Sequence, residues 1–289
     1  MRLTTDWRAV AALAVTALAL AGCDSGRSGG SGSGVAPASD TSVRPAPAGA
    51  SPREAAESLL KAVADGKVTP EQLTPAFRTA IASPQTDDER KAGYSAPRLR
   101  QWLDGFTGAR FMFLEQTRVG PAVVERGRVE AGTGKDAFSL RIVPAGAGYQ
   151  IDWLHRSTHL GLVPAPANSD LVGPQDAVRN FLDLLLGGDP RQAQSLMTLG
   201  WKKTQAPAPP AEARKGAEYD AGFLAQAMRA WKGDAAAYAI PRAEMNPARD
   251  AATFTVELEA AGRKTPYAVQ AVKDLTTGWW LIAAFDKQP

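Results

Sequence analysis

Residues 51–61 read SPREAAESLLK, and residues 173–183 read GPQDAVRNFLD. The two stretches share the pattern that decides the fold: a proline in the first helical turn, an acid near it, and apolar residues at helical spacing. Each then breaks at a turn, DG in one case and GGD in the other, before a second short helix is expected near 70–82 and 190–199. The pattern predicts that one folding unit occurs twice in this chain.

Two further matches follow in the same order. The sequences AGYSA at 92–96 and AEYDA at 217–221 each precede a helical stretch that contains a tryptophan and stops at a glycine. Near the two ends, GYQIDW from residue 148 parallels GWWLIA from residue 278, which places Ile282 opposite Asp152. The offset between copies grows from 122 to 130, so the second copy contains a few inserted residues.

Between the helices and the closing strand, both copies change to a period of two residues. Four strands are predicted in each copy, at 111–118, 123–130, 137–143 and 149–154, and at 235–244, 253–260, 267–273 and 279–285. Short turns separate them, so neighbouring strands should pair antiparallel, because no crossover helix is available. The predicted fold class is α+β: two tandem units, each of about three helices packed on a curved antiparallel sheet of about four strands.

This order of elements, the size of each copy and the closing aromatic strand resemble the nuclear transport factor 2-like superfamily, which includes SnoaL-like and ketosteroid isomerase-like domains. The resemblance covers residues 51–160 and 172–287 and rests on element order, without a diagnostic motif. It implies that each sheet wraps its helices into a cone with an open mouth. A cystatin-like fold has a similar helix-then-sheet order, but normally contains only one helix.

The N-terminal residues are typical of a bacterial lipoprotein. Residues 10–20 are apolar except for Thr16, and they are too short for the roughly 20 residues of a membrane span but fit the h-region of a signal peptide. The sequence LAGC at 20–23 resembles a lipobox, which implies cleavage before Cys23 and lipidation of that residue. Two or three acyl chains anchor a protein stably, whereas one binds marginally. The alternative is an ordinary signal peptide followed by a chance cysteine.

These features divide the chain into five parts. They are a lipoprotein signal peptide (1–22), a disordered Gly/Ser/Ala/Pro tether (23–50), a first α+β unit (51–162), a Pro-rich linker (163–171) and a second α+β unit (172–289). The tether should act as a flexible spacer that spans roughly 25 to 30 Å. The linker is too short for independent tumbling, so the two units are expected to touch. Residues 202–218 should form an excursion between helices of the second unit.

Few residues offer catalytic or metal chemistry. The chain contains no nucleophile elbow, P-loop, dinucleotide fingerprint, CxxC pair or HExxH motif. His155 and His159 are predicted just beyond the last strand of the first unit, as solvated residues rather than metal ligands, because no glutamate lies between them. The acidic candidates are expected on solvated strand faces: Glu115, Asp152, Glu257 and Glu259. If the aromatic face of its strand packs inward, Asp152 points to solvent or to the neighbouring unit.

Large aromatic side chains are the remaining candidates for a ligand pocket, although core packing is their commoner role. They are Trp102, Trp201, Trp231, Trp279 and Trp280. Alternation along the last strand places Trp280 opposite Trp279, so one of the two should face away from the core. An exposed Trp280 would be a contact point for the partner unit or for another protein.

The sequence therefore predicts a non-catalytic envelope lipoprotein that binds an envelope protein or a small apolar ligand. No catalytic residue, metal site or cofactor is assigned, and the net charge of +3 without a dense basic run argues against nucleic acid. Anchoring would be to a membrane through Cys23, facing the periplasm, with the inner or outer membrane left open. The alternative is an isomerase- or dehydratase-like enzyme that uses one cone-shaped cavity. A buried acid with a raised pKa facing an apolar pocket would favour that enzyme. Cones filled by their own side chains would argue against both the enzyme and the binder of a small ligand, and would leave a structural or interaction role.

Overall fold

A computed structural model describes residues 50–132, 134–159, 168–210 and 217–289. The predicted signal peptide, Cys23 and nearly all of the tether lie outside these residues, as does most of the linker. All the described residues belong to one compact unit. We refer to residues 50–159 as the first half and to residues 168–289 as the second half.

Each half runs helices first and strands second. The first half contains α1 (Pro52–Ala64), α2 (Pro75–Ile81), α3 (Asp87–Ala92) and α4 (Ala96–Asp104), then β1 (Arg110–Val119), β2 (Ala122–Ala131), β3 (Gly134–Ala145) and β4 (Gly148–Ser157). The second half contains α5 (Val172–Gly187), α6 (Pro190–Gln194), α7 (Leu199–Gln205) and α8 (Ala221–Lys232), then β5 (Ala237–Met245), β6 (Ala251–Ala260), β7 (Arg263–Lys273) and β8 (Trp280–Lys287).

Each half forms its own antiparallel meander, in the order β1-β2-β3-β4 and β5-β6-β7-β8. The predicted α+β class with two four-stranded sheets is confirmed, and every predicted strand coincides with an observed one. The described part of each half has four α-helices rather than about three. In the first half the additional helix is α3, which is short and capped at both ends, by Thr86 and by the left-handed Gly93. The predicted excursion at 202–218 begins inside α7.

The short helices α2 and α7 begin in the same way in the two halves. Thr74 and Thr198 each cap a helix, accepting a hydrogen bond from the amide three residues ahead. Each threonine also donates its own backbone N–H to the closing strand, to the carbonyl of Ile151 in one half and of Ile282 in the other. These contacts make Ile151 and Ile282 structurally equivalent.

This equivalence corrects the predicted alignment of the closing strands by one residue. Asp152 is the counterpart of Ala283, not of Ile282, and both residues lie at register shifts in the edge strands β4 and β8. The prediction counted from the turn glycines Gly148 and Gly278. The number of residues between that glycine and the β-bulge differs by one between the halves, so the glycines do not mark equivalent positions.

Helix α5 is buried around its whole circumference. Its apolar face repeats the buried face of α1 at an offset of 122 residues, with Ala55, Ala56, Leu59, Leu60 and Val63 matched by Ala177, Val178, Phe181, Leu182 and Leu185. Its polar face corresponds to the solvent side of α1, but in α5 these side chains are buried as well: Asp176, Arg179, Asn180 and Asp183. They meet strands of the first half, so the prediction that the two units touch is confirmed.

The interior of each half is filled by rings from its own helices and strands. In the first half, successive ring contacts with centroids 5.0–6.3 Å apart form a chain that runs in the order Phe77, Trp102, Phe106, Phe111 and Phe138. In the second half, contacts at 4.6–6.1 Å link Phe181, Trp201, Trp231, Tyr267 and Phe285. Among the helices that the structure describes, none has both the length and the apolar character that a membrane span requires.

Candidate functional site

The polar face of α5 meets the first-half sheet around one buried arginine. Arg126 on β2 is 2% exposed, and it donates from Nη1 to Asp183 at 2.8 Å. Its Nη2 donates to Asp176 at 3.0 Å and to the side-chain oxygen of Asn180 at 2.7 Å. One cation of the first half is therefore held by three side chains from a single helix of the second half. A buried charge requires such partners, because leaving it unpaired is costly.

The charges in this cluster reinforce one another. Burial works against the charge of Arg126, but Asp176 and Asp183 outweigh it and hold the pKa of Arg126 above its usual value. Tyr238 on β5 donates its hydroxyl to Asp183 at 2.9 Å. Burial first, and then the charge of Asp183, raises the pKa of Tyr238 well above the ordinary phenol value. Tyr238 is therefore a neutral hydrogen-bond donor at physiological pH.

A second ion pair joins α5 to the edge strand β1. Arg179 donates to both carboxylate oxygens of Glu115, at 3.1 and 3.0 Å. Partial burial favours protonation of Glu115, but the Arg179 guanidinium outweighs it and lowers the pKa of the carboxyl. Glu115 was expected on a solvated face; instead it is half-buried and forms a bidentate pair across the two halves.

The third cross-half contact centres on Asp152, which is 8% exposed. Its carboxylate accepts hydrogen bonds from Thr74 Oγ1 at 2.9 Å and Arg141 Nε at 2.8 Å within the first half. From the second half, Trp279 Nε1 donates to the two carboxylate oxygens at 3.1 and 3.0 Å. Of the two predicted orientations, Asp152 therefore takes the one toward the neighbouring unit. The Arg141 guanidinium also lies 5.2 Å from the Trp279 ring centroid.

Of the two histidines, His159 lies beyond the strand as predicted, but His155 does not. His155 is inside β4, not beyond it, and is 1% exposed; its Nδ1 accepts a hydrogen bond from Trp153 Nε1 at 2.7 Å. His159 follows the strand and is half-buried, with its ring 5.2 Å from that of Tyr238. The prediction of solvated histidines is wrong because α5 covers this face of β4. In the part of the chain that the structure describes, no group of His, Cys, Asp and Glu is arranged to hold a metal ion.

The remaining acids that the sequence analysis considered, and the buried Glu125, belong to none of these three contacts. Glu257 and Glu259 are half-buried on the alternating strand β6, as their pattern predicted, and Glu257 pairs with Lys264 at 3.0 Å. Glu125 on β2 is fully buried, and burial raises its pKa although Gln116 and Arg53 both contact it. It is not among the residues that line the cleft described next.

An open cleft of about 1870 Å³ lies at the junction of the two halves. The contact between Asp152 and Trp279 forms part of its wall. Residues of both halves line it, among them Thr74, Gln101, Trp102, Arg141, Met197, Lys202, Tyr219, Thr276 and Trp280. This volume exceeds the roughly 300–1,000 Å³ of ordinary small-molecule pockets, so the cleft can accept an extended ligand.

The tryptophans divide between the core and this cleft. Trp201 is buried, and Trp231 packs against it at 5.3 Å between ring centroids. Of the adjacent pair, Trp279 makes the hydrogen bonds to the other half, whereas Trp280 is half-buried next to Gly173. Trp280 had been predicted as the exposed contact residue, but it is Trp279 that hydrogen-bonds across the junction.

Sequence reasoning missed the three arginines of the junction, Arg126, Arg141 and Arg179. A signal was present at Arg126, which follows Val123, Val124 and Glu125 in a strand that does not alternate cleanly. A strand that lacks clean alternation is covered on both faces. The element that packs on the second face of β2 is α5. It belongs to the other half, and nothing in the sequence of β2 identifies it.

Comparisons with known proteins identify no family for this chain. No protein-family model matches it, and no curated protein is similar to it. One solved structure that is similar is described as an Ntf2-like protein involved in plasmid conjugation; it has 12% identity and a TM-score of 0.26, and the match covers 74% of this chain and 93% of that one. Another is a cystatin-like protein from Ruminococcus gnavus, at 9% identity and a TM-score of 0.23, covering 82% and 92%. These scores are too low to assign the chain to either family.

Proposed function

We propose that this protein is a membrane-anchored, non-catalytic binding module of the bacterial cell envelope. Its two halves would be tandem nuclear transport factor 2-like cones, and the acylated Cys23 with its tether would hold them near the membrane surface. The ligand would occupy the cleft between the halves rather than the interior of either cone. In this proposal, both halves are needed because the cleft that binds the ligand forms only between them.

The cleft itself is the observation that carries this proposal. It is lined by both halves, whereas the cone interiors are occupied by their own aromatic rings. Asp152, the buried acid among the described residues of its wall, accepts from three different donors, including Arg141. A carboxylate that is fully hydrogen-bonded in this way is a structural group rather than a general base.

A catalytic function would require a different arrangement. An isomerase or dehydratase of the kind considered from the sequence needs an acid with a raised pKa that faces an apolar cavity. The described residues contain a buried acid with a raised pKa in Glu125, but it contacts Arg53 and Gln116 and lies away from the cleft. We therefore favour binding over catalysis.

Photocrosslinking in cells tests the position of the site. A photoreactive amino acid would replace Gln101 or Thr276, which are exposed residues of the cleft, and Arg128 or Arg263, which are exposed but do not line it. We expect a discrete adduct from the cleft positions and none from the controls. Adducts that form equally at all four positions, or at none, would refute the proposal. The mass of the adduct distinguishes a small ligand from an envelope protein.

Membrane anchoring has its own test. The substitution Cys23→Ser should move the protein from the membrane fraction to the soluble fraction and remove the mass of the acyl chains. A Cys23→Ser protein that still partitions with membranes and keeps the same mass would show that Cys23 is not the anchor. This result would leave the cleft proposal intact, because the crosslinking positions lie in the folded halves.

A further inference from the structure

Lys202 on α7 is an amine in the wall of the cleft that has no acidic partner. Its ammonium lies 5.5 Å from the ring centroid of Tyr219, and no carboxylate within the described residues forms an ion pair with it. Burial lowers the pKa of Lys202 to about 8. A half-buried ammonium that contacts only one aromatic face loses part of its hydration without gaining an opposite charge, which is unfavourable. A bound anion would supply that charge.

The first half contains the same combination of a cation and an aromatic ring, together with an acid that influences the cation. Arg78 occupies the position equivalent to Lys202, four residues after the capping threonine, and lies 5.6 Å from the ring of Tyr94. The charge of Arg78 contributes, after hydrogen bonds from Glu71's own backbone and from Thr69, to the lowered pKa of Glu71. Glu71 is therefore a negative charge that Arg78 influences, although no ion pair joins the two side chains in the part of the chain that the structure describes.

In the second half this acid is missing. At the offset that relates Thr74 to Thr198, the residue that replaces Glu71 is Ser195, which also lines the cleft. The second half therefore has the cation and its aromatic partner but no carboxylate at this position, and its cation is the one that lines the cleft. Arg78 does not line the cleft.

The other charges of the cleft show the same imbalance. Each acid in its wall is already engaged: Asp152 by Arg141, Asp170 by Arg249, and Asp189 and Asp274 by backbone amides. In contrast, three further cations that line it form no ion pair within the described residues: Arg98, Arg191 and Lys273. Among the described residues that line the cleft, six cations face four acids, and a concave surface with such an excess of positive charge concentrates anionic ligands.

We propose that the ligand of the cleft has an anionic phosphate or carboxylate group on an apolar body, and that Lys202 binds the anion. The inference rests on the proposed binding function and names the ligand class for it. The aromatic side chains Trp102, Tyr219 and Trp280 in the wall would contact the apolar body. An anion at Lys202 would add a negative charge where the first half has Glu71 and the second half has Ser195.

Calorimetric titration of the full lipidated chain in neutral-lipid nanodiscs tests this inference. The probes are octyl phosphate and octanoate, with octyl glucoside as the uncharged counterpart and inorganic phosphate as the anion without an apolar body; partition into empty nanodiscs is subtracted. We expect octyl phosphate or octanoate to bind at least about tenfold more tightly than octyl glucoside, because hydrogen bonds to charged groups are the stronger ones. If inorganic phosphate binds with the same affinity as octyl phosphate, the apolar body contributes nothing and the proposed ligand class is overturned in favour of a free anion.

Three variants locate the effect. Lys202→Met should weaken the binding of the anionic probe about tenfold or more, and Ser195→Glu should do so while keeping the lysine, because it rebuilds the acid of the first half. Arg78→Met is the matched control and should leave the affinity unchanged. A Ser195→Glu protein that binds as tightly as the wild type would overturn the inference, even if Lys202→Met fails to fold.

Different results would reject the binding function of the cleft and the anionic ligand class. Tight binding of octyl glucoside, or no binding of any probe while the cleft positions still crosslink, would reject the anionic ligand and keep the binding function. Absence of both probe binding and cleft crosslinks would reject both.

Discussion

The indole Nε1 of Trp279 lies 3.0 Å from one carboxylate oxygen of Asp152 and 3.1 Å from the other, joining residues that are 127 positions apart. Trp279 also packs edge-on against Trp153 of the first half, with ring centroids 5.7 Å apart. The bond connects the closing strand of the first half to the residue that directly precedes the closing strand of the second half. It therefore fixes how the two halves meet in the wall of the cleft.

We expect Trp279→Phe to lower the free energy of unfolding by about 1–3 kcal/mol, because a buried carboxylate loses one of its donors. Urea denaturation followed by circular dichroism measures this loss. The adjacent Trp280→Phe is the matched control, since Trp280 is only half-buried and should cost less. Equal losses for the two variants would show that the hydrogen bond to Asp152 contributes nothing specific.

The buried Arg126 should be among the most sensitive positions. Arg126→Met leaves Asp176 and Asp183 without their cation, and breaking a buried pair in this way costs about 3–5 kcal/mol. The same substitution at the exposed Arg128 on the same strand should change stability by less than about 0.5 kcal/mol. Chemical denaturation of both variants makes the comparison.

The double variant Arg126→Met with Asp183→Asn provides the internal check. It should recover part of the stability, because the uncompensated charge is removed together with its partner. If Asp183→Asn instead adds its full cost to that of Arg126→Met, the two side chains are not energetically coupled.

Most of the fold could be predicted from the sequence because its signals are local. The SPREAAESLLK and GPQDAVRNFLD stretches each contain helix-start residues and a 3.6-residue apolar period, and the strands have a period of two. These patterns depend only on which face of each element is buried within its own half. They therefore yield the elements, their order and the antiparallel pairing.

The junction could not be predicted because the same polar pattern occurs on a solvent-exposed helix face and on a buried one. Glu54 and Lys61 on α1 face solvent, and their counterparts Asp176 and Asp183 on α5 are buried against Arg126. Both helices display charged residues at helical spacing, so neither composition nor period separates them. The difference arises only when the second half is placed against the first.

Two glycine-to-alanine substitutions should change the free energy of unfolding in opposite directions. A Cβ at Gly127 on β2 would lie 1.9 Å from the carbonyl oxygen of Met112 and 2.7 Å from the Phe138 ring, so the paired strands would have to move. We expect Gly127→Ala to cost about 1–3 kcal/mol through overpacking. A Cβ at Gly200 in α7 would meet nothing within 4 Å, so Gly200→Ala should stabilise the protein by about 0.5–1 kcal/mol through helix propensity. Thermal unfolding of both variants tests this, and a neutral Gly127→Ala would mean that β1 and β2 can separate at that point at little cost.

The stability of the folded halves should fall on mild acidification because of His155. Burial first, and then the charge of Arg126, lowers the pKa of His155 well below its ordinary value. Its Nδ1 accepts from Trp153, so the folded state requires the neutral ring. In the unfolded chain the pKa is about 6.5, and below that pH the unfolded state binds a proton that the folded state does not. The contribution of His155 is therefore complete above about pH 6.5 and is lost as the pH falls, by up to about 1.4 kcal/mol per unit.

Urea denaturation at intervals between pH 7.5 and 5 measures this dependence. His155→Gln, which keeps a hydrogen-bond acceptor for Trp153 but does not titrate, should lose most of the slope below pH 6.5. Burial also lowers the pKa of His159, but its ring is only half-buried, so His159→Gln should remove a smaller part of the slope. An unchanged slope in His155→Gln would show that the titration of His155 does not cause the acid sensitivity in this pH range.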